Sequence, residues 1–260
     1  MRTILNLNRV DSTWTLNPRK SFSDVFDAQG TPSGVGNQVS VEFNLIYRWH
    51  STISLRDEKW AIEEYKRIFH TDDPENLTLD QFIAGLTRWG AEVENTDPGQ
   101  RTFGGMTRDP HTGTFSDAEL VKIIADSTED VACAFGPRQV PKIMKLVEIL
   151  GMQQARYWQV GTLNEFRKFF QLEPHREFSD ITSNHEVAQS LKTLYTHPDY
   201  VELYPGLVAE DAKVPLEPGS GLCTGFTISR TILSDAVSLT RGDRFYTVVC
   251  TQRPRNLVRS

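Results

Sequence analysis

Residues 35–54, VGNQVSVEFNLIYRWHSTIS, decide how the chain is read. Val39, Phe43, Ile46, Tyr47 and His50 recur there at intervals of three and four, a pattern that in an α-helix lines side chains along one face. The spacing predicts a helix over residues 36–50, with Tyr47 and His50 as neighbours one turn apart. A lone histidine on an aromatic helix face is more often a hydrogen-bonded core residue than a ligand, and spacing alone favours that reading.

Working outward, the same periodicity predicts helices over residues 56–69, 138–157, 185–195 and 226–241. Further helix starts are marked by capping boxes, in which a hydroxyl accepts from an orphan backbone N–H and an acid or amide three residues on reaches back. These pair Thr78 with Gln81, Ser116 with Glu119 and Thr162 with Glu165. Strand-like alternation is scarce, so the expected fold class is mainly α. The stretches AQGTPSGVG, NTDPGQRTFGGMTRDPHTG and DAKVPLEPGSG have the composition of loops, and none is biased enough to be a linker. One domain, or part of one, is expected. The opening residues MRTILNLNRVDSTW suit neither a cleaved signal nor a membrane span. Ile4, Leu5, Leu7 and Val10 read as the tail of an amphipathic helix, so a truncated beginning is expected.

The 260 residues can bury a sizeable core. Asp and Glu number 34 against 28 Lys and Arg, a net charge of -6, and no basic stripe runs along the chain. Nucleic acid is therefore not an expected partner. Cys133, Cys223 and Cys250 are odd in number and form no C-x-x-C pair, which points to a reducing compartment. The expected location is cytoplasmic or peripheral to a membrane, and homo-oligomer formation stays open. His185-Glu186 lacks the second histidine of a zinc-protease helix, Gly219-Ser220-Gly221 lacks the setting of a nucleophile elbow, and no phosphate loop occurs. Cys133 precedes Phe135, Gly136 and Arg138, whereas a haem-thiolate cysteine would follow such residues, so it is expected to be a buried structural thiol.

The stretch from Glu42 to His50, EFNLIYRWH, resembles the E-F-N-x-x-Y-x-W-H segment of the cyclooxygenases, matching at Glu42, Phe43, Asn44, Tyr47, Trp49 and His50. Downstream, RYWQVGTLNEFRKFF from Arg156 resembles their R…N-E-Y-R-K-x-F segment. VELYPGLVAE resembles V-E-x-Y-P-x-L, and Gly225-Phe226 opens a final helix as a Gly-Phe pair does there. The chain thus resembles the peroxidase-cyclooxygenase superfamily. Within it, RTILNLNRVDSTW, VGNQVSVEFNLIYRWHS and TISRTILSDAVSLTRGDRFYTV are most similar to the dioxygenase domain of fungal linoleate diol synthases and psi-factor-producing oxygenases.

The resemblance implies a haem peroxidase/cyclooxygenase-like helical domain, incomplete at its N-terminus. Residues 1–248 would be its C-terminal, proximal half and residues 249–260 a divergent tail. It implies a haem-dependent fatty-acid dioxygenase, linoleate 8R-lipoxygenase-like, whose partners are haem, a long-chain unsaturated fatty acid such as linoleate, and dioxygen. His50 would be the proximal ligand of the haem iron and Tyr47 the catalytic radical-forming residue. Tyr47 would give an electron and a proton to the oxidised haem, and its phenoxyl would take hydrogen from the bound lipid. Two other readings stand beside this one: a haem peroxidase without lipid oxygenation, and a non-catalytic remnant. None of the six histidines lies in the family's distal motif, which is expected upstream. Some animal peroxidases place an Asn against the proximal imidazole; the alignable position here is Gly151, which leaves the partner of His50 open. Arg156, Asn164 and Arg167 are expected to be scaffold, Trp49 core packing, and Tyr204-Pro205 a turn.

Overall fold

The computed structural model describes residues 34–94, 96–102, 105–214 and 224–245. The expected helix tail at Ile4 to Val10, the loop at Gly219 to Gly221, Cys223, Cys250 and the tail 249–260 lie outside these residues. The described residues are helical and contain no strand; isolated antiparallel bridges join Thr162 to Glu202 and Ala212 to Gly225. Among the described residues no helix is long and apolar enough to cross a membrane.

The elements run α1 (Val41–Ile46), a 3-10 turn (His50–Thr52), α2 (Leu55–Phe69), α3 (Leu79–Glu94), α4 (Asp117–Glu129) and α5 (Lys145–Tyr157). They continue with α6 (Leu163–Phe169), α7 (Phe178–Ile181), α8 (His185–Tyr195), α9 (Leu203–Ala209) and α10 (Phe226–Gly242). Two compact units share them. One takes in the described residues up to Trp49, Phe135–Pro137, and those from Met152 on; the other is His50–Ala134 with Arg138–Gly151.

Several starts follow the capping chemistry. Thr162 and Glu165 form a reciprocal box at α6, and the Thr78 and Gln81 side chains each bond the other's backbone at α3. Ser116 precedes α4 as expected, but its hydroxyl makes no capping bond. The predicted helix over 138–157 is shorter than its periodicity suggests. Arg138 lies in the left-handed region at φ 62°, Pro141 is extended, and a 3-10 turn at Lys142–Met144 leads into α5. Tyr204 and Pro205 lie inside α9 instead of a turn; Pro205 falls in the first turn, where its missing N–H costs no hydrogen bond.

The predicted helix over 36–50 is the main departure. α1 begins only after Ser40, with φ -78° and ψ 169°, and ends at Ile46. The Trp49 indole N–H donates to the Ile46 carbonyl at 2.7 Å, so a side chain satisfies a C-terminal carbonyl that a further helical turn would have used. Val39 therefore precedes the helix, and His50 opens a separate 3-10 turn.

The first unit's core joins Leu45 and Ile46 of α1 to Leu163, Leu203, Leu207 and Ile228, with Phe43 and Trp49 packed at its edge. Gly206 lets α9 approach closely, since a Cβ there would stand 2.8 Å from a Leu163 methyl carbon. Buried polar groups tie the helices together. Arg167 of α6 donates to Glu210 at 2.7 Å and to the Thr227 hydroxyl at 2.6 Å, while the Thr227 backbone N–H at the start of α10 donates to Glu210 at 2.8 Å. Asn164 holds His175 through paired bonds of 2.8 Å, and Arg156 pairs with Glu202 through two nitrogens at 2.5 and 3.0 Å. These are the scaffold roles expected of Arg156, Asn164 and Arg167.

The second unit centres on Phe69, Phe82 and Leu146, with the two rings stacked at 5.0 Å. Cys133 is a free thiol and only partly buried, instead of the buried structural thiol expected, and its backbone N–H donates to the Thr52 carbonyl at 3.2 Å.

Candidate haem-ligating site

Tyr47 terminates α1 with φ -100° and ψ 15°. Its ring lies 4.5 Å from Phe43 and stacks on Trp49 at 6.1 Å with 6° between planes. Those contacts fix the ring through its faces and leave the side chain 47% exposed. Arg48 is turned elsewhere, bonding Asn44 and Gln154 and lying 5.3 Å above the Tyr204 ring. Burial first, and the negative charge of Asp235 second, hold the Tyr47 phenol above its ordinary pKa. A phenol held this way keeps its proton at neutral pH, so any electron it gives up must be accompanied by proton release.

Asp235 belongs to α10, which packs on α1. Its carboxyl is pushed up to about 6, by burial first and then by Glu42 of α1. A raised folded pKa means that the folded chain binds this proton more tightly than the unfolded chain does. The resulting stability is full below the ordinary carboxylate range and is lost as pH rises through about 6. Asp235→Asn cannot ionise and should remove that loss. Urea unfolding from about pH 4 to about pH 7 is expected to show wild type falling by roughly 1 kcal/mol relative to the variant, solvent access having reduced the full effect. Parallel pH profiles would refute the assignment.

His50 lies in the second unit, at the start of its 3-10 turn. Its Nδ1 bonds the Glu148 carboxylate in the first turn of α5, and both side chains are partly buried. Among the described residues Nε2 has no partner. One ring nitrogen is thus anchored by an acceptor and the other is left to donate its lone pair, which is the division of labour seen at histidines that ligate metals. A haem iron needs only one axial side chain from this side. An imidazole with Nδ1 anchored on a carboxylate and Nε2 open is a donor of the kind that holds a haem iron. The residues present therefore fit haem.

Tyr47 and His50 do not share a helix face: one ends α1, the other opens the 3-10 turn, and they belong to different units. Glu148 and Asp235 were not singled out by sequence. Glu148 stands one turn before Gly151, the position weighed for a partner of His50, and Asp235 is the sole acid within α10.

The family model described as animal haem peroxidase matches residues 100–255, a stretch that includes Glu148 and Asp235 and begins after His50. The chain is 54% identical over 248 residues to Psi-producing oxygenase A of Emericella nidulans, covering 95% of this chain and 23% of that protein. It is 51% identical over 257 residues to linoleate diol synthase of Gaeumannomyces graminis, covering 99% of this chain and 22% of that one. The chain thus spans less than a quarter of the length of these relatives. A solved structure of Oryza sativa fatty acid alpha-dioxygenase with palmitic acid superposes with a TM-score of 0.50 at 17% identity, covering 94% of this chain and 41% of that one, a likeness of fold.

Proposed function

Because the chain belongs to the animal haem peroxidase family, we propose that it supplies the proximal part, residues 1–248, of a haem-dependent fatty-acid dioxygenase, with His50 as axial iron ligand and Tyr47 as radical-forming residue. The observation that carries this is the His50 imidazole, fixed at Nδ1 by Glu148 with Nε2 left for a metal. The curated relatives bear the names of fungal oxygenases acting on linoleate or producing psi factors, and linoleate is accordingly the proposed substrate.

Haem, when bound, supplies oxidising power that no amino-acid side chain carries. His50 would hold it through Nε2. Tyr47 keeps its phenolic proton until it is oxidised, then loses proton and electron together. The phenoxyl takes one hydrogen atom from the acyl chain, regenerating the phenol and leaving a carbon radical. Dioxygen adds to that carbon, and the peroxyl radical recovers a hydrogen atom from Tyr47 to give the hydroperoxide. The proposed product from linoleate is the 8R-hydroperoxide.

The test is a chimera in which this chain replaces the matching stretch of the Emericella nidulans oxygenase. With linoleate it should consume oxygen and yield a fatty-acid hydroperoxide. Guaiacol oxidation without oxygen uptake would establish a plain peroxidase, and neither activity, in a folded chimera, would favour a non-catalytic segment.

A further inference from the structure

We infer that Glu148 is a positioning residue for the iron ligand, making the His50 imidazole a stronger, more anionic donor than a neutral partner would. This rests on the proposed ligation by His50. The position weighed for a neutral amide partner is Gly151, which has no side chain to offer. One turn earlier on the same face of α5, Glu148 brings a carboxylate to Nδ1, and both groups lie within the second unit.

The chemistry follows from the charge of the acceptor. A carboxylate accepting the Nδ1 proton draws that hydrogen outward and raises electron density on Nε2, and the effect is larger in a partly buried site where water screens little. The Glu148 side chain is 17% exposed and the His50 side chain 27%. A more anionic ligand stabilises the oxidised metal over the reduced one, so a bound haem would have a lower reduction potential and a stiffer iron–imidazole bond than an amide partner would give. The same bond sets the ring's orientation and tautomer, which aims Nε2 away from α5.

The full chain loaded with haem allows the test by resonance Raman of the ferrous form and by redox titration. Glu148→Gln keeps the shape and an acceptor but removes the charge. The expected result is a downshifted iron–histidine stretch, an upward shift of the reduction potential and haem binding weakened about tenfold or more. Glu148→Asp should restore part of both spectroscopic shifts, which a merely structural role would not do. If Glu148→Gln leaves stretch and potential at wild-type values in a chain whose far-ultraviolet circular dichroism is unchanged, the inference is overturned. If in addition His50→Ala loses the iron–histidine stretch, ligation by His50 stands and Glu148 alone has been misassigned. If His50→Ala keeps that stretch, or if the wild-type chain binds no haem, the ligand reading and the inference built on it both fall.

Discussion

Tyr47→Phe is expected to abolish fatty-acid oxygenation by the chimera while leaving haem binding and guaiacol oxidation intact. The ring is held by contact with Phe43 at 4.5 Å and by stacking on Trp49 at 6.1 Å, and a phenylalanine keeps both. Among the described residues the Tyr47 hydroxyl makes no hydrogen bond, so its removal should change stability by less than about 0.5 kcal/mol. On the proposed reading, what is lost is the O–H bond whose hydrogen atom would move in the reaction. If Tyr47 is the hydrogen-abstracting residue as proposed, the rate should fall by about 1,000-fold or more, equivalent to about 4 kcal/mol in the barrier. Oxygen uptake with linoleate at the parental rate would remove Tyr47 from the mechanism.

The largest expected effect on stability lies at Glu210. Its carboxylate receives Arg167, the Thr227 hydroxyl and backbone N–H, and His175 at 3.2 Å, all in a buried setting. Burial pushes its pKa up, yet the bonds from His175 and Thr227 and the charge of Arg167 prevail and hold it below the ordinary value. Glu210→Ala strips those donors of their acceptor and leaves the Arg167 guanidinium buried without its anion. Removing one partner of such a pair costs about 3–5 kcal/mol. For a chain of this size that corresponds to a fall of roughly 10 °C in Tm. The pH sign is opposite to that of Asp235. A depressed folded pKa means that Glu210's contribution is present above the ordinary carboxylate range and is lost as pH falls through its folded value. Wild type and Glu210→Ala should therefore converge in acid, and an equal gap at all pH values would speak against the ionised carboxylate as the cause.

Much of this architecture was legible in the residues. α8 occupies His185–Tyr195 as its apolar spacing predicts, with Asn184 accepting from Glu186 and Val187, and the Thr162 and Glu165 box opens α6 as written. Local chemistry encodes these features, since a cap and its partner are three residues apart. The end of α1 was not legible, because the group that stops it is a tryptophan side chain folding back on a carbonyl, which periodicity does not register. Nor was the partner of His50, which comes from 98 residues away in sequence. Resemblance directed attention to Gly151, and the carboxylate arrived from one turn earlier on the same helix.

The assignment of the iron to His50 is tested most directly by the absorption spectrum of the haem-loaded chain, wild type against His50→Gly, with and without free imidazole. The expected result is a Soret band characteristic of histidine ligation in wild type, lost in His50→Gly and restored when imidazole fills the vacated space. The same band in both proteins, indifferent to imidazole, would contradict ligation by His50.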